Sequence, residues 1–276
     1  MTIRCFGCRG SVPMSLNQGS KYGGNTSSIL VEVPEQWVVI DAGSGMMNLN
    51  TQLEARFPEY PKGLPCDVSV LVSHLHIDHI LGFAFFAPIF DAKTKIYTCS
   101  RGDKPIHNQI FDIFSPPYWP VVLGDMVKAD VREIFDRQPF KIGSLTVTPF
   151  VANHPNITLS YKITDGKKTL IHLLDNEINE MDNEEFEFLV SYCRDADLIV
   201  FDAMYSPEDY EREKRGWGHS TVLHGANLAE SCGCKRMLFS HFDPKYTDKQ
   251  LDDLIAGLKP QRTEFFMARD NLCLEI

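Results

Sequence analysis

The chain has 276 residues, 43% hydrophobic and 23% charged, proportions of a folded soluble enzyme rather than a disordered or fibrous protein. A formal net charge of −10 argues against broad binding to extended nucleic acid or to an anionic membrane. Thr2-Ile3-Arg4-Cys5-Phe6 lacks the apolar core of a secretory signal, and no run reaches transmembrane length. The eight cysteines therefore read as reduced thiols, and the expected compartment is the cytoplasm.

Thr2 to Phe6 reads as a short strand ending in the glycine-punctuated turn Gly7-Cys8-Arg9-Gly10-Ser11-Val12-Pro13. No strand–GxxxxGK–helix context makes that turn a phosphate loop. Ile29–Val33 and Trp37–Ile40 form an expected β-hairpin, the second strand running into Asp41-Ala42-Gly43-Ser44-Gly45. A helix follows with Met46, Leu49, Leu53 and Phe57 on one face, ended by Pro58 and Pro61. Val68–Val72 is an apolar strand that breaks directly into Ser73-His74-Leu75-His76-Ile77-Asp78-His79. On extended backbone, residues two apart share a side, so His74 and His76 can converge on one point. Asp78 and His79 follow at the turn and can approach a neighbouring point. The plain alternative, a helix start capped by Asp78 with solvated histidines, accounts less well for this density of ligating groups.

Ile80 to Phe90 is apolar enough to be a helix packed on a sheet, and Lys95–Cys99 is a strand. The prolines of Phe114–Pro120 exclude regular structure there, leaving an aromatic loop that either walls a pocket or packs on the surface. Short strands are expected at Val131–Phe135, Leu145–Val151, Leu159–Ile163 and Leu170–Leu174, with Asp165-Gly166-Lys167 as a hairpin turn. Asp182 and Glu185 form a capping box for a helix with Phe186, Leu189, Val190 and Cys193 on one face. A strand at Leu198–Phe201, a charged stretch from Glu208 to Arg215 and a helix from Ser220 come next. Met237–Phe239, a helix capped by Thr247 and Gln250, and strands at Glu264–Met267 and Leu272–Ile276 close the chain. With no repeat or linker, residues 1–276 read as one α/β domain.

Six of these strands run into a residue that ligates metal or orients a ligand: Asp41, His74, His154, Asp175, Asp202 and His241. Strands deliver functional groups at their C-terminal ends, so ends aligned along one edge would form a single His/carboxylate cluster. That composition suits zinc, manganese or iron better than calcium, which prefers oxygen alone. His107, His172 and His224 lack such a context and read as structural. Cys5/Cys8 and Cys232/Cys234 would make a structural zinc only if knuckles from opposite ends of the chain met. Otherwise they are small buried residues beside glycine turns.

The chain resembles the metallo-β-lactamase-fold hydrolases, whose dinuclear site begins with His-x-His-x-Asp-His, here His74 to His79. The likeness runs from the Gly7–Pro13 turn through Gly23-Gly24-Asn25-Thr26 and Asp41–Gly45 to Ser240-His241-Phe242-Asp243-Pro244. It implies a four-layer αββα sandwich with two divalent metal ions, zinc in the first instance and manganese or iron as alternatives. His74, His76 and His154 would hold one metal and Asp78, His79 and His241 the other, with Asp175 bridging. Asp41 and Glu177 would steady the ligands from behind.

Phe201-Asp202-Ala203-Met204-Tyr205 and Gly218-His219-Ser220-Thr221 resemble the phosphodiesterase branch, which includes tRNase Z-type endonucleases and cyclic-phosphate phosphodiesterases. Asp202 stands where the tRNA enzymes carry a glutamate. The implied catalytic groups are His219 oriented by Asp202, together with Asp78. The expected chemistry is in-line attack on phosphorus by a metal-bridging hydroxide, with His219 as general acid. Without an inserted basic arm, and with an acidic chain, a small cyclic or linear phosphodiester is expected rather than tRNA. The sequence is compatible with a homo-oligomer and offers no membrane segment. Rival readings are another ester, thioester or lactone hydrolase of this fold, and a non-catalytic metal-binding sensor.

Overall fold

Alternation along the N-terminal strands decides which side of a sheet each residue takes. The computed structural model describes all residues except 16–19, 61, 63, 65, 260 and 261, so the expected break at Pro61 lies outside them. The first sheet contains β1 (Thr2–Gly7), β2 (Ser28–Val33), β3 (Gln36–Ile40), β4 (Asp67–Leu71), β5 (Lys95–Thr98) and β6 (Asp130–Glu133). The second contains β7 (Phe140–Ile142), β8 (Leu145–Val151), β9 (Leu159–Thr164), β10 (Thr169–Leu173), β11 (Leu198–Asp202), β12 (Arg236–Ser240) and β13 (Glu264–Met267). The last strand, β14 (Leu272–Glu275), returns to pair with β1. Each sheet thus has seven strands, ordered β14-β1-β2-β3-β4-β5-β6 and β13-β12-β11-β10-β9-β8-β7.

Val38 and Ile40 of β3 join a core shared with the second sheet, whereas Trp37 and Val39 face the opposite way. There they meet Met46, Leu49 and Leu53 of α1 (Gly45–Arg56), the face expected from the sequence. A fully buried aliphatic side chain of this kind contributes roughly 1.5–3 kcal/mol. A one-turn helix α2 (Ile77–Ile80) follows β4, and α3 (Ile106–Phe111) adds Ile110 and Phe111 to the outer cluster. On the second sheet pack α4 (Asn183–Cys193), α6 (Val222–Cys232) and α7 (Asp248–Ala256), with the short α5 (Pro207–Asp209) between β11 and α6. The result is the expected αββα sandwich. Among the described residues no helix is long and apolar enough to cross a membrane.

Both expected capping boxes form, at Asp182/Glu185 and Thr247/Gln250. The α6 helix starts two residues later than expected, at Val222, with the Thr221 hydroxyl accepting from the His224 N–H at 3.3 Å. The segment after His79 is not one helix. It forms two 3₁₀ turns, Leu81–Phe85 and Ala87–Phe90, separated by extended backbone at Phe86. Pro88 has no N–H to bond the preceding turn, so it opens a new turn instead of continuing the old one. The charged stretch expected after β11 is helical: α5 continues into a π-helical turn at Tyr210–Lys214. Strand β7 is too short for an alternation to announce it. The proline-rich loop is a surface loop pinned by Trp119, edge-on to Phe114 at 5.5 Å and Phe85 at 5.9 Å, while Tyr118 is 80% exposed.

Strand direction places the site. β3, β4, β5 and β6 run parallel, as do β10, β11, β12 and β13. β8 is two antiparallel pairings from β10 and so shares its direction. Within each sheet the strands that precede the candidate site residues therefore end toward one edge, and the 3.2 Å approach of His79 Nε2 to Asp175 Oδ2 shows that the two edges coincide. Gly43, in the loop after β3, admits nothing larger: a Cβ would lie 2.3 Å from the Asp78 carbonyl oxygen, 2.5 Å from that of Ser27 and 2.5 Å from Thr26 Oγ1. Gly43→Ala is expected to lose about 3 kcal/mol in urea unfolding, at the upper end of overpacking costs. A loss below about 1 kcal/mol would mean that this loop yields and does not fix the strand ends.

Candidate metal centre

The aligned strand ends bring the expected residues together. One ligating atom from each of His74, His76, His154 and Asp175 lies within 4.8 Å of the others, and the same holds for Asp78, His79 and His241. Asp175 lies against both sets, with Oδ1 3.7 Å from His74 Nε2 and Oδ2 3.2 Å from His79 Nε2 and 3.4 Å from His241 Nε2. The turns around the cluster are strained: Asp41, Asp175 and His241 have φ of 60°, 53° and 66°. For non-glycine residues such conformations cost roughly 1–3 kcal/mol each and persist where surrounding structure imposes them.

Groups behind the cluster set which ring nitrogen faces it. Asp41 accepts from the Ser73 N–H at 2.7 Å, the Ser73 hydroxyl at 2.9 Å and His79 Nδ1 at 2.8 Å, leaving His79 Nε2 to the centre. Ser73 Oγ is 3.1 Å from His74 Nδ1, which turns Nε2 of that ring inward. His154 Nδ1 donates to the Gly218 carbonyl at 3.0 Å. His76 Nε2 lies 2.6 Å from the Asn156 amide, leaving Nδ1 uncommitted. Asp202 Oδ2 accepts from the Asp175 N–H at 2.9 Å and from His219 Nδ1 at 2.7 Å. His219 also approaches Asp175 and His241 closely enough to form a third metal-competent group. Its Nδ1 is engaged by Asp202, however, so its free Nε2 is better placed to move a proton.

Glu177 has a larger part than its sequence position announces. Its carboxylate accepts from the Gly216 N–H at 2.6 Å, the Gly218 N–H at 2.7 Å and the Tyr210 hydroxyl at 2.8 Å. It thereby fixes the loop that carries His219 and orients His154. Sequence reasoning missed four further contributors. The Ser11 N–H donates to Asp78 Oδ2 at 2.7 Å, and a Cβ on Gly10 would meet the His241 ring at 2.7 Å. The Gly7–Pro13 turn is thus a wall of the site. Arg101 donates to the carbonyls of Ser73, Cys99 and Ile157 at 2.6, 2.7 and 2.9 Å, tying both histidine loops together. Asn156 is the fourth. Only Gly10 and Ser11, inside a glycine-marked turn, had a local signal. The cysteine pairs are buried free thiols, and no metal-competent group among the described residues includes one.

The electrostatics divide the histidines. Burial pushes His74, His76 and His154 below the usual imidazole range, so they are neutral donors. Burial also opposes protonation of His79 and His241, but Asp175 and its neighbours overcome it, carrying His241 up to about 9 and His79 well above its usual value. Asp78 and Asp175 stay well below the carboxylate range despite burial, because His79 and His241 stabilise their charge. Inside the cluster His74 Nε2, His154 Nε2 and Asp175 Oδ2 are buried with no hydrogen-bond partner. Oδ2 is near two imidazole nitrogens, yet neither contact has hydrogen-bond angles. Unpartnered lone pairs aimed at a common point fit divalent cations, whose charge would replace the protons on His79 and His241.

Two sheets flanked by helices, with a His/Asp cluster across their strand ends, define the metallo-β-lactamase fold, a family of divalent-metal-binding proteins. Residues 36–242 match the family described as the beta-lactamase superfamily domain, and the chain belongs to that superfamily. It is 24% identical over 243 residues to the probable metallo-hydrolase YhfI of Bacillus subtilis (strain 168), covering 87% of this chain and 86% of that one. A ribonuclease Z of Haloarcula marismortui is 22% identical over 298 residues, covering 92% and 90% of the two chains. The solved structure of a diphosphatase from the PhnP family superposes with a TM-score of 0.70 at 16% identity, covering 100% and 97%.

Two measurements test this geometry. Glu177→Gln places an amide donor against backbone N–H groups, so hydrogen exchange at Gly216 and Gly218 should accelerate at least about tenfold, with roughly 1–3 kcal/mol of stability lost. Unchanged exchange would remove Glu177 as the clamp. His172, buried beneath the cluster with neither ring nitrogen partnered, is pushed by burial down to about 4. Its folded value lies below the unfolded one near 6.5, so stability is lost as pH falls from about 6.5 toward 4. Relative to His172→Leu, the wild type should lose about 3 kcal/mol across that window in urea unfolding.

Proposed function

We propose that the protein is a phosphodiesterase of the cytoplasm, folded as one domain, that hydrolyses a small cyclic or linear phosphodiester with two bound zinc ions. His74, His76 and His154 would hold one ion and Asp78, His79 and His241 the other, with Asp175 shared between them. Bound there, such ions supply a nucleophile from water at neutral pH and neutralise charge on the phosphate oxygens. The observation that carries the phosphodiester reading is the 2.7 Å bond between His219 Nδ1 and Asp202 Oδ2. It leaves His219 Nε2 free on a ring whose centroid is 5.2 Å from both the His154 and the His241 rings, one from each ligand set.

A proton donor in that position reaches a leaving oxygen whichever ligand set lies nearer to it. Asp202 holds Nδ1–H in place and stabilises the imidazolium before Nε2–H is given up. Asp78 is held by the Ser11 N–H and kept ionised by its histidine neighbours, so it keeps an oxygen on the centre throughout. The names of the relatives, a ribonuclease and a diphosphatase, support phosphorus as the reacting atom. The acidic chain favours a small substrate over a folded RNA.

Asp175→Ala should abolish hydrolysis of a phosphodiester panel and deplete metal measured by plasma emission. Wild-type turnover in that variant would sink the proposal. His219→Ala should retain its metal and lose roughly 10²–10⁴-fold in kcat, the usual contribution of a general acid. Loss of metal instead would make His219 a ligand, and cleavage of thioesters or lactones in preference to phosphodiesters would displace the reading altogether.

A further inference from the structure

Beside the proton donor, the loop between β11 and α6 presents an indole that the proposed chemistry does not use. Trp217 is 55% exposed, two residues before His219. It is flanked by Gly216 and Gly218, whose φ of 82° and 84° only glycine adopts readily. Both glycine N–H groups are bound by the buried Glu177 carboxylate, at 2.6 and 2.7 Å, so the backbone carrying the indole is fixed from both sides. A Cβ on Gly218 would lie 2.2 Å from His154 Nδ1, so this loop is seated directly on a candidate ligand.

The ring has one occupied face. Lys214 Nζ sits 3.8 Å from its centroid and 5.7 Å from that of Tyr205, and the Tyr205 ring is 5.7 Å from His219. Lysine, tryptophan and tyrosine thus form a short chain leading away from the proton donor. A side chain so exposed, held by a site residue on rigid backbone, matches a stacking platform better than core packing.

We propose that Trp217 is a specificity-determining residue that stacks on a planar aromatic group, such as a nucleobase, carried by the phosphate ester on the His219 side of the centre. This rests on the phosphodiester reading above for its substrate class. Lys214 supports the indole from the opposite face and adds positive charge near the anionic ligand. Base–aromatic stacking of this kind changes affinity by about tenfold or more.

The test is equilibrium titration of the metal-loaded protein with adenosine 5′-monophosphate and with ribose 5-phosphate, which lacks the base. The wild type should bind the first about tenfold more tightly. Trp217→Ala should erase that preference while leaving ribose 5-phosphate within about twofold, and Trp217→Phe should keep part of it. On a base-bearing phosphodiester, Trp217→Ala should raise KM and leave kcat unchanged. An equal preference in wild type and Trp217→Ala, or a wild type that ignores the base or binds neither ligand, would overturn the assignment. The affinity ratio needs no turnover. Hydrolysis of the phosphodiester panel separately decides the parent reading, so the two fail independently.

Discussion

A dry carboxylate ringed by imidazoles is the constraint on which the rest of the structure turns. Asp175 is buried, its backbone is in the left-handed region, and its N–H is committed to Asp202. Its oxygens lie within 4.0 Å of nitrogens from His74, His79, His154, His219 and His241. Burying such a charge is costly unless positive charge is held beside it. The fold meets that need by bringing six strand ends to one edge and locking the imidazole rings from behind.

Neither the His74 nor the His79 metal-competent group belongs to one sheet. His74 and His76 follow β4 of the first sheet, while His154 and Asp175 follow β8 and β10 of the second. Asp78 and His79 come from the first sheet and His241 from the end of β12 in the second. A cation held by either set would tie the two sheets at their common edge, so metal affinity and sheet docking are thermodynamically linked. Arg101, joined to carbonyls in both histidine loops, does the same without metal.

The cluster was legible in the sequence because its signals are local. A strand run followed by His or Asp is visible within a few residues, and His74–His79 compresses four such groups into six positions. The hairpin, both capping boxes and the face of α1 were legible for the same reason. What escaped depends on distant partners. Ser11 meets Asp78 and Arg101 meets Ser73 and Ile157, and Glu177, itself expected behind the ligands, meets the unforeseen partners Gly216 and Gly218, contacts that no periodicity encodes. The segment after His79 misled because its apolar density suited a helix, while Pro88 divided it into two turns.

The excursion from Ala203 to Gly218 begins and ends at the same contact, since Asp202 and His219 bond each other across its base. Tyr205 and Thr221 also form a bridge there, closing the base a second time. Tyr210, Gly216 and Gly218 within the excursion are held by the Glu177 carboxylate, so the exposed residues between Tyr210 and Gly216 are the ones that can change without disturbing the Asp202–His219 contact. Rigidity and variability are therefore separated along one chain: the pinned base is costly to alter, and the exposed turn beyond it is where the sequence can drift.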